Sequence, residues 1–256
     1  MDAELMTPSP TTLSRSIALE GASNFRDLGG YQGLDGRSVR WRQLFRSDHL
    51  AKLSQQDLQT LGGMGVVSSA DFRGVQESAQ LAYAWPGLER HALVVEPSVV
   101  QRSQAILQAG RQLTEADTVG LMQDTYRSFV VEYAPRFAQL FQMLLAGQGP
   151  LVFHCTAGKD RTGWAAALLL TALGVDEQTV MQDYLLTNAL YRRPDAGLWD
   201  ADPAVLDVLW RVQESYLAAA TELVHKEFGG MQAYLSQAMG LDAAARQRLA
   251  ELYLEG

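Results

Sequence analysis

The stretch LVFHCTAGKDRTGWAAALLL, residues 151–170, places a polar loop between a short apolar run and a long one. The first run, Leu151–His154, is followed by a turn that contains glycine, which is typical of a buried parallel strand. The second run has the apolar content of a helix in the core. In open α/β sheets, ligands bind outside the carboxyl ends of the strands, where loops lead into helices. The sequence therefore predicts a binding site at this loop.

The rest of the chain continues the alternation of strands and helices. Further strands are predicted at residues 41–46, 65–72 and 90–96. One helix is predicted to follow Ser54 as its N-cap, and another to begin at Thr114 and to be kinked or split at Pro135. After Gly163 the pattern is helical almost to the end, with helices over residues 164–174, 176–190, 203–228, 230–240 and 242–255. The order predicts an α/β fold with a mainly parallel central sheet, helices on both faces and a helix-rich C-terminal third.

Composition indicates a single domain. The 256 residues show no compositional break, and 47% of them are apolar, which is enough for one sizeable core. We expect a flexible segment over residues 1–15, which is rich in Pro, Ser and Thr, and one domain over residues 16–256. The net charge is -8, without a basic cluster. Nucleic acid is therefore not expected as a partner, because its backbone binds a concentrated positive face.

The sequence also disfavours a disulfide-stabilised secreted protein, a membrane-spanning protein and a metalloprotein. The single cysteine excludes an internal disulfide, and the N-terminus has no basic region followed by an apolar one. The longest apolar run, WAAALLLTALGV, is shorter than the roughly 20 residues of a membrane span. His49, His91 and His225 have no partners at metal-ligand spacing, so neither a metal nor another cofactor is expected. We expect a cytoplasmic protein without a membrane span; export without a cleaved signal and the oligomeric state stay open.

The loop after Leu151–His154 has the features of an anion site. Gly158 permits the tight backbone geometry of the turn. Successive N–H groups of such a turn point inward, and a helix predicted to begin at about Thr162 adds its positive end. We expect the following residues to bind a phosphate group: Thr156, Ala157, Gly158, Lys159, Asp160 and Arg161.

Cys155 and Arg161 are the candidates for the main chemistry. The planar guanidinium of Arg161 matches two oxygens of a phosphate and keeps its charge. At the base of the cradle, the amides and the helix dipole favour Cys155 as a thiolate, which could attack phosphorus and form a phosphocysteine. We expect the Thr162 hydroxyl to hydrogen-bond the sulfur and help it leave. The ring of His154 is expected to order the loop rather than to act as a base.

Hydrolysis of a phosphate ester also needs a general acid for the leaving oxygen. Asp160 lies inside the loop, although the neighbouring cations Lys159 and Arg161 work against its protonated form. Asp71 and Asp48, at the ends of predicted strands, are the alternatives. Lys159 is either a second cation for a substrate with more than one negative group or a solvated surface lysine.

The motif resembles a known active site. A His-Cys pair followed by five residues and Arg-Thr-Gly resembles the loop of cysteine-dependent protein tyrosine and dual-specificity phosphatases. The full form, HCTAGKDRTG, is similar to a bacterial subgroup, the tyrosine phosphatase B type, also called atypical lipid phosphatases. The segments SNFRDLGGY, FRSDHL, DFRG and DYLLTN resemble other parts of that subgroup, so the resemblance covers roughly residues 20–240.

The resemblance implies a metal-free hydrolase of phosphotyrosine, with phosphoserine, phosphothreonine and phosphoinositides as further candidates. In that subgroup the loop aspartate and lysine, here Asp160 and Lys159, are linked to general acid chemistry and to phosphoinositides. Other tyrosine phosphatases use an aspartate on a separate Trp-Pro-Asp loop, whereas residues 85–87 here read WPG, which favours Asp160. The partner is then a phosphorylated protein or a phosphoinositide. The family also suggests a helical cover over the site, for which residues 98–123 are the candidate.

Two other functions match part of the pattern. A catalytically idle phosphate-binding module could use the same loop, but it would have no need of Cys155. A sulfur-transfer enzyme of the rhodanese kind also uses a loop cysteine, but its spacing does not match. Elsewhere we expect structural roles: a turn and a salt bridge in NFRDLGGY, residues 24–31, and buried support from Arg46 and Arg73, which are lesser candidates for lining the pocket.

Overall fold

The computed structural model describes residues 14–96, 112–193 and 202–256. Within them the strands are β1 (Arg26–Asp27), β2 (Ser38–Val39), β3 (Leu44–Ser47), β4 (Ser68–Asp71), β5 (Glu89–Ala92), β6 (Leu151–His154) and β7 (Leu254–Glu255). Five strands form a central sheet in the order β1-β3-β6-β4-β5, and β2 and β7 form a separate antiparallel pair. In the central sheet β1 is antiparallel to β3, and the other pairings are parallel.

Ten helices longer than one turn lie in the described residues. They are α1 (Gln55–Gly63), α2 (Val75–Gln80), α3 (Glu115–Val131), α4 (Ala134–Ala146), α5 (Asp160–Ala172), α6 (Glu177–Leu190), α7 (Pro203–Trp210), α8 (Glu214–Phe228), α9 (Met231–Gln237) and α10 (Ala243–Tyr253). None of them is both long and apolar enough to cross a membrane.

The alternation of side chains along the strands gives the sheet two buried faces. Phe45 and Val152 pack into a smaller apolar cluster with Leu61 of α1. Leu44 and Phe153 point to the other face, into the main core that α3, α4, α5 and the C-terminal helices complete. Helices therefore cover both faces of a mostly parallel sheet, which confirms the predicted fold class.

Most predicted elements are present with shifted bounds. β6 is confirmed residue for residue, whereas β3, β4 and β5 are shorter than predicted or displaced by a residue. Ser54 and Thr114 are both N-caps in capping boxes. Pro135 lies in the first turn of α4, so the predicted break separates α3 from α4.

Two predictions about helices are wrong. The predicted single helix over residues 203–228 is two helices, α7 and α8, because Arg211 is extended. The side chain of Asn188 stabilises this break by accepting from the N–H of Val212 at 2.9 Å and donating to its carbonyl at 2.9 Å. The helix after the loop begins at Asp160 rather than at about Thr162. Asp160 and Arg161 therefore belong to the first turn of α5 as well as to the loop motif.

Candidate active site

The predicted site lies at the carboxyl edge of the sheet. Strand register aligns His154 at the end of β6 with Ser47 of β3 on one side and Asp71 of β4 on the other. Residues 155–159 then connect β6 to α5. The loop thus lies where parallel α/β sheets bind ligands.

Gly158 allows the loop to pack tightly on the end of β3. Its φ is +64°, and a Cβ at this position would lie 2.4 Å from the carbonyl oxygen of Ser47. A larger residue would therefore meet backbone, in a left-handed conformation that L side chains rarely adopt. The close packing also lets the backbone N–H of His49 donate to the carbonyl of Thr156 at 3.1 Å.

A buried group of charges, which we call the rear cluster, supports the loop from behind. It consists of Arg26, Arg46 and Asp183, whose side chains are at most 1% exposed. Arg26 Nε and Arg46 Nη1 bind the two oxygens of Asp183 at 3.0 and 2.7 Å. Arg46 Nη2 also donates to the carbonyl of Gly158 at 3.0 Å, and Asn24 Nδ2 does so at 2.9 Å. The rear cluster therefore ties β1, β3 and α6 to the loop.

The charged groups of the rear cluster shift one another's pKa. Burial alone would raise the pKa of Asp183, but Arg26 and Arg46 hold it well below its usual range. Burial and the neighbouring Arg46 lower the pKa of Arg26 to about 10, so it still carries its charge at neutral pH. This confirms the expected salt bridge in NFRDLGGY and a structural role for Arg46.

A second ion pair, which we call the front pair, joins Arg161 to Glu77 of α2. Arg161 Nη1 and Nη2 donate to Glu77 Oε2 and Oε1 at 2.6 and 2.9 Å, and Nη1 also donates to the carbonyl of Val95 at 3.0 Å. Glu77 accepts in addition from the Thr156 hydroxyl and from the Gly74 N–H. The side chains of Arg161 and Glu77 remain 10% and 24% exposed. One carboxylate thus links both ends of the loop.

Cys155 lies next to the front pair, with 2% of its surface exposed. Burial opposes the charge of Arg161, but the hydrogen bonds that it donates to Glu77 and the neighbouring Cys155 raise the pKa of Arg161 above its ordinary value. A permanent cation beside the sulfur suits a bound phosphate. The Thr162 hydroxyl is buried and has no hydrogen-bond partner among the described residues, so its predicted bond to the sulfur is not made.

The ring of His154 is buried in the interior, behind the loop. Its Nε2 is 2.9 Å from the Tyr83 hydroxyl, and its Nδ1 is 3.3 Å from the carbonyl oxygen of Cys155. Burial lowers the pKa of His154 to about 4, although Asp71 acts in the opposite direction. The ring is therefore neutral at pH 7.

The three candidate acids have different surroundings. Asp160 is partly exposed, and its Oδ1 accepts from the Tyr126 hydroxyl at 3.1 Å. Asp71 is fully buried; despite that burial, hydrogen bonds from Arg73 hold its pKa below the usual range, and Arg90 pairs with it at 2.8 Å. Arg73 is thus structural, as predicted.

Asp48 accepts hydrogen bonds from the N–H and hydroxyl of Ser23, and burial raises its pKa. Asp160 thus has a partly exposed side chain and Asp48 lines the pocket beside the loop, whereas Asp71 has no exposed surface.

The profile of the tyrosine phosphatase family matches residues 17–255. The chain belongs to the tyrosine phosphatase family.

The sequences of three named relatives match that of the phosphatase along most of its length. A chain named as a tyrosine-protein phosphatase in Cupriavidus necator is 38% identical over 240 residues, which cover 89% of this chain and 85% of that one. The triple specificity protein phosphatase PtpB of Mycobacterium tuberculosis is 28% identical, over 90% of this chain and 96% of its own. A tyrosine-protein phosphatase of Nostoc commune is 29% identical, over 80% and 71% of the two chains.

Beside the loop, the phosphatase has an open cleft of about 810 Å³. Thr156 and Ala157 of the loop line it, together with Asp48, Tyr191 and Trp210. The rings of Tyr191 and Trp210 stack with centroids 6.4 Å apart and an interplanar angle of 28°. Lys52, Arg192 and Arg193 add positive charge to its walls. Glu20 and Asp48 also line the cleft, which therefore combines aromatic rings with charges of both signs next to the loop.

Lys159 has surroundings that neither prediction for it included. It is 2% exposed, and its ammonium donates to the carbonyls of Leu209 and Arg211 at 2.8 and 2.9 Å. It also lies 3.4 Å from Asp160 Oδ2. The interpretation of Lys159 as a solvated surface lysine is therefore wrong, because its charge is satisfied inside the phosphatase.

Sequence reasoning missed Glu77, Asp183 and Tyr126 as parts of the site. Each lies on a helix distant in sequence from the loop, and each meets the loop only after the chain folds. DFRG ends three residues before Glu77, and DYLLTN begins at Asp183, but only their resemblance to the family marks these segments in the sequence. No group of three or more His, Cys, Asp or Glu side chains in the described part of the chain could hold a metal ion.

Proposed function

We propose that this phosphatase hydrolyses phosphotyrosine through a covalent bond between Cys155 and the phosphoryl group. The observation that carries the proposal is the meeting of Cys155 and the permanently charged Arg161 at one loop, at the carboxyl edge of the sheet and the start of α5. The loop amides and Arg161 hold the three outer oxygens of the phosphate, where they stabilise its charge as the reaction proceeds.

In the first step the Cys155 thiolate attacks phosphorus, and the bond from phosphorus to the tyrosine oxygen breaks. The leaving oxygen takes up the proton of Asp160, so that tyrosine departs as a neutral phenol. In the second step water attacks the phosphocysteine and gives a proton to the Asp160 carboxylate. The bond between sulfur and phosphorus breaks, which releases inorganic phosphate and restores both the thiolate and the acid.

Asp160 is preferred over Asp48 as the acid because it occupies the first turn of α5 beside Arg161. Tyr126 fixes one of its oxygens while the carboxyl stays partly exposed. Asp48 is fixed by Ser23 at the wall of the cleft, where it could contact a substrate side chain. Asp71 is buried among arginines and has no route to the substrate.

Phosphotyrosine on proteins is the preferred substrate, because Tyr191 and Trp210 give the cleft aromatic walls. The triple specificity named for the Mycobacterium tuberculosis relative supports extending the proposal to phosphoserine and phosphothreonine. Phosphoinositides belong in the same test, since the cations of the cleft suit further phosphate groups. A cytoplasmic setting, without nucleic acid as a partner, completes the proposal.

A substrate panel tests this function. Phosphotyrosine, phosphoserine and phosphothreonine peptides and phosphoinositides are compared, each with the wild type and with Cys155→Ser. We expect turnover to be greatest with phosphotyrosine and to disappear in Cys155→Ser, while binding of a phosphotyrosine peptide persists. Full turnover by Cys155→Ser would contradict the covalent mechanism, and binding without turnover by the wild type would favour the idle module.

A second experiment tests the assignment of the acid. Asp160→Ala should lose far more activity with poor leaving groups than with an activated aryl phosphate, because only poor leaving groups need the proton. Asp48→Ala is the comparison. Equal losses with both kinds of ester in Asp160→Ala would move the acid to another residue.

A helical cover over the cleft also stays a proposal. Of the candidate residues 98–123, those at 98–111 lie outside the described residues, and those from Glu115 onward form the start of α3. Limited proteolysis in this segment should slow when a phosphate analogue is bound.

A further inference from the structure

Lys159 connects the loop to a distant part of the chain. Its ammonium makes three contacts inside the protein, with Leu209 O, Arg211 O and Asp160 Oδ2 at 2.8, 2.9 and 3.4 Å. An ammonium group has three N–H donors, so these contacts match its full capacity. With 2% of the residue exposed, the charge is directed at these partners and not at the solvent.

The two carbonyls that Lys159 binds lie on either side of Trp210. Leu209 is in the last turn of α7, and Arg211 follows the helix in an extended conformation. A cation near the last carbonyls of a helix satisfies acceptors that have no partner within the helix and interacts favourably with its dipole. Lys159 thereby fixes the backbone immediately before and after the Trp210 ring.

The ring of Trp210 is part of the substrate cleft. It stacks on Tyr191, which directly follows α6, and both line the cleft with Thr156 and Ala157. Asn188 of α6 fixes the next residue, Val212, through two hydrogen bonds of 2.9 Å. Two side chains, one from the loop and one from α6, therefore hold the aromatic wall.

We propose that Lys159 is a positioning residue that selects aromatic phosphate esters by fixing Trp210 in the wall of the cleft. The inference rests on the proposed function, since it concerns how the same site recognises the substrate ring. Lys159 then acts through Trp210 and does not bind a second phosphate of the substrate.

A double-mutant cycle with Lys159→Met and Trp210→Ala tests the proposal. We expect each single variant to raise the KM for a phosphotyrosine peptide about 10-fold, and the double variant to be no worse than Trp210→Ala. The inhibition constant of orthovanadate, which occupies the loop alone, should change by less than about 2-fold in Lys159→Met. Lys226→Met, which removes an exposed lysine of α8, is the charge control and should match the wild type.

Additive losses in the cycle would overturn the proposal. So would a loss confined to substrates with a second phosphate, because it would show direct binding by Lys159. If Lys159→Met also loses orthovanadate binding, Lys159→Arg is the deciding variant, because arginine keeps N–H donors for both carbonyls. Recovery of the wild-type KM for the phosphotyrosine peptide in Lys159→Arg would support the proposal. A KM that does not recover would overturn it. Failure of the proposed function is distinguishable, because turnover would then survive in Cys155→Ser.

Discussion

The front pair and the rear cluster hold the same loop by different means. Both use arginine against a single carboxylate. In the rear cluster the side chains are at most 1% exposed, whereas Arg161 and Glu77 of the front pair are 10% and 24% exposed. The rear cluster binds the loop through the carbonyl of Gly158, and the front pair binds it through the side chains of Thr156 and Arg161.

This difference separates stability from catalysis. A sealed cluster in which two arginines share one aspartate contributes to the fold only while the aspartate is present, because buried charges left without a partner are costly. In a partly exposed ion pair, the arginine can exchange its carboxylate for a ligand at a smaller cost in free energy. We therefore expect changes in the rear cluster to lower the free energy of unfolding, and changes in the front pair to lower activity.

Asp183→Asn should give the largest effect on stability. It leaves Arg26 and Arg46 buried without a countercharge, so we expect a loss of about 3–5 kcal/mol in the free energy of unfolding, measured by urea denaturation. Asp207→Asn is the matched control, since Asp207 also pairs with an arginine, Arg193, but at the surface. Its loss should be below about 1 kcal/mol. Similar losses in the two variants would remove the distinction between sealed and exposed pairs.

His154→Gln should change how stability depends on pH. Burial lowers the pKa of His154 from 6.5 to about 4, so the unfolded chain binds the proton more readily than the folded one. The resulting stability is present above pH 6.5 and is lost as the pH falls from 6.5 to about 4. The loss reaches up to about 3 kcal/mol.

The measurement is urea denaturation of the wild type and His154→Gln at several pH values. Because glutamine does not titrate, the variant should lose less stability over this interval. Other titrating groups, including His49, contribute to both proteins and cancel in the comparison. Parallel curves for the two proteins would show that His154 is not buried as a neutral ring.

Glu77→Gln tests the front pair directly. Arg161 and Thr156 lose a charged acceptor, so a loss of about 1.5–3 kcal/mol in transition-state stabilisation is expected, equal to roughly 10- to 100-fold in kcat/KM for an aryl phosphate. Glu96→Gln is the control, because Glu96 binds the N–H of Val75 at the start of α2 without contacting Arg161. A higher kcat/KM in Glu77→Gln would instead show that Glu77 competes with phosphate for Arg161.

The contrast between the two ion groups also explains what the sequence could predict. Cys155, Gly158 and Arg161 form one contiguous motif, and its turn geometry follows from local residue types. The sequence predicts β6 fully because a short apolar run before a glycine-containing turn has few alternative structures. The fold class followed from the same alternation along the chain.

The features that the sequence does not predict depend on contacts between segments that are distant along the chain. Asp183 lies in a helical pattern like any other, and nothing local shows that two arginines from strands will meet it. The break between α7 and α8 depends on Asn188, a residue of the preceding helix, so residues 203–228 alone favour one continuous helix. Lys159 is ambiguous for the same reason, since its partners Leu209 and Arg211 come from beyond α6.

Tyr126→Phe should give the smallest effect, and it tests whether the Tyr126 hydroxyl orients the proposed acid, Asp160. The Tyr126 hydroxyl lies 3.1 Å from Asp160 Oδ1 and 2.7 Å from the hydroxyl of Tyr184, so it orients the carboxyl from a fully buried position on α3. Loss of one such hydrogen bond, about 1 kcal/mol, should lower kcat roughly 5-fold for an ester with a poor leaving group. An activated aryl phosphate, which needs no proton, should be hydrolysed at an unchanged rate.

The control for this variant is Tyr253→Phe, which removes another buried hydroxyl, one that donates to the carbonyl of Leu144. Both variants remove one buried tyrosine hydroxyl, so a general loss of stability would appear in both. Only Tyr126→Phe should make kcat depend more steeply on the leaving group, because only Tyr126 contacts Asp160. If both esters slow equally in Tyr126→Phe, the hydroxyl supports the packing of α3 on α5 and does not orient the acid.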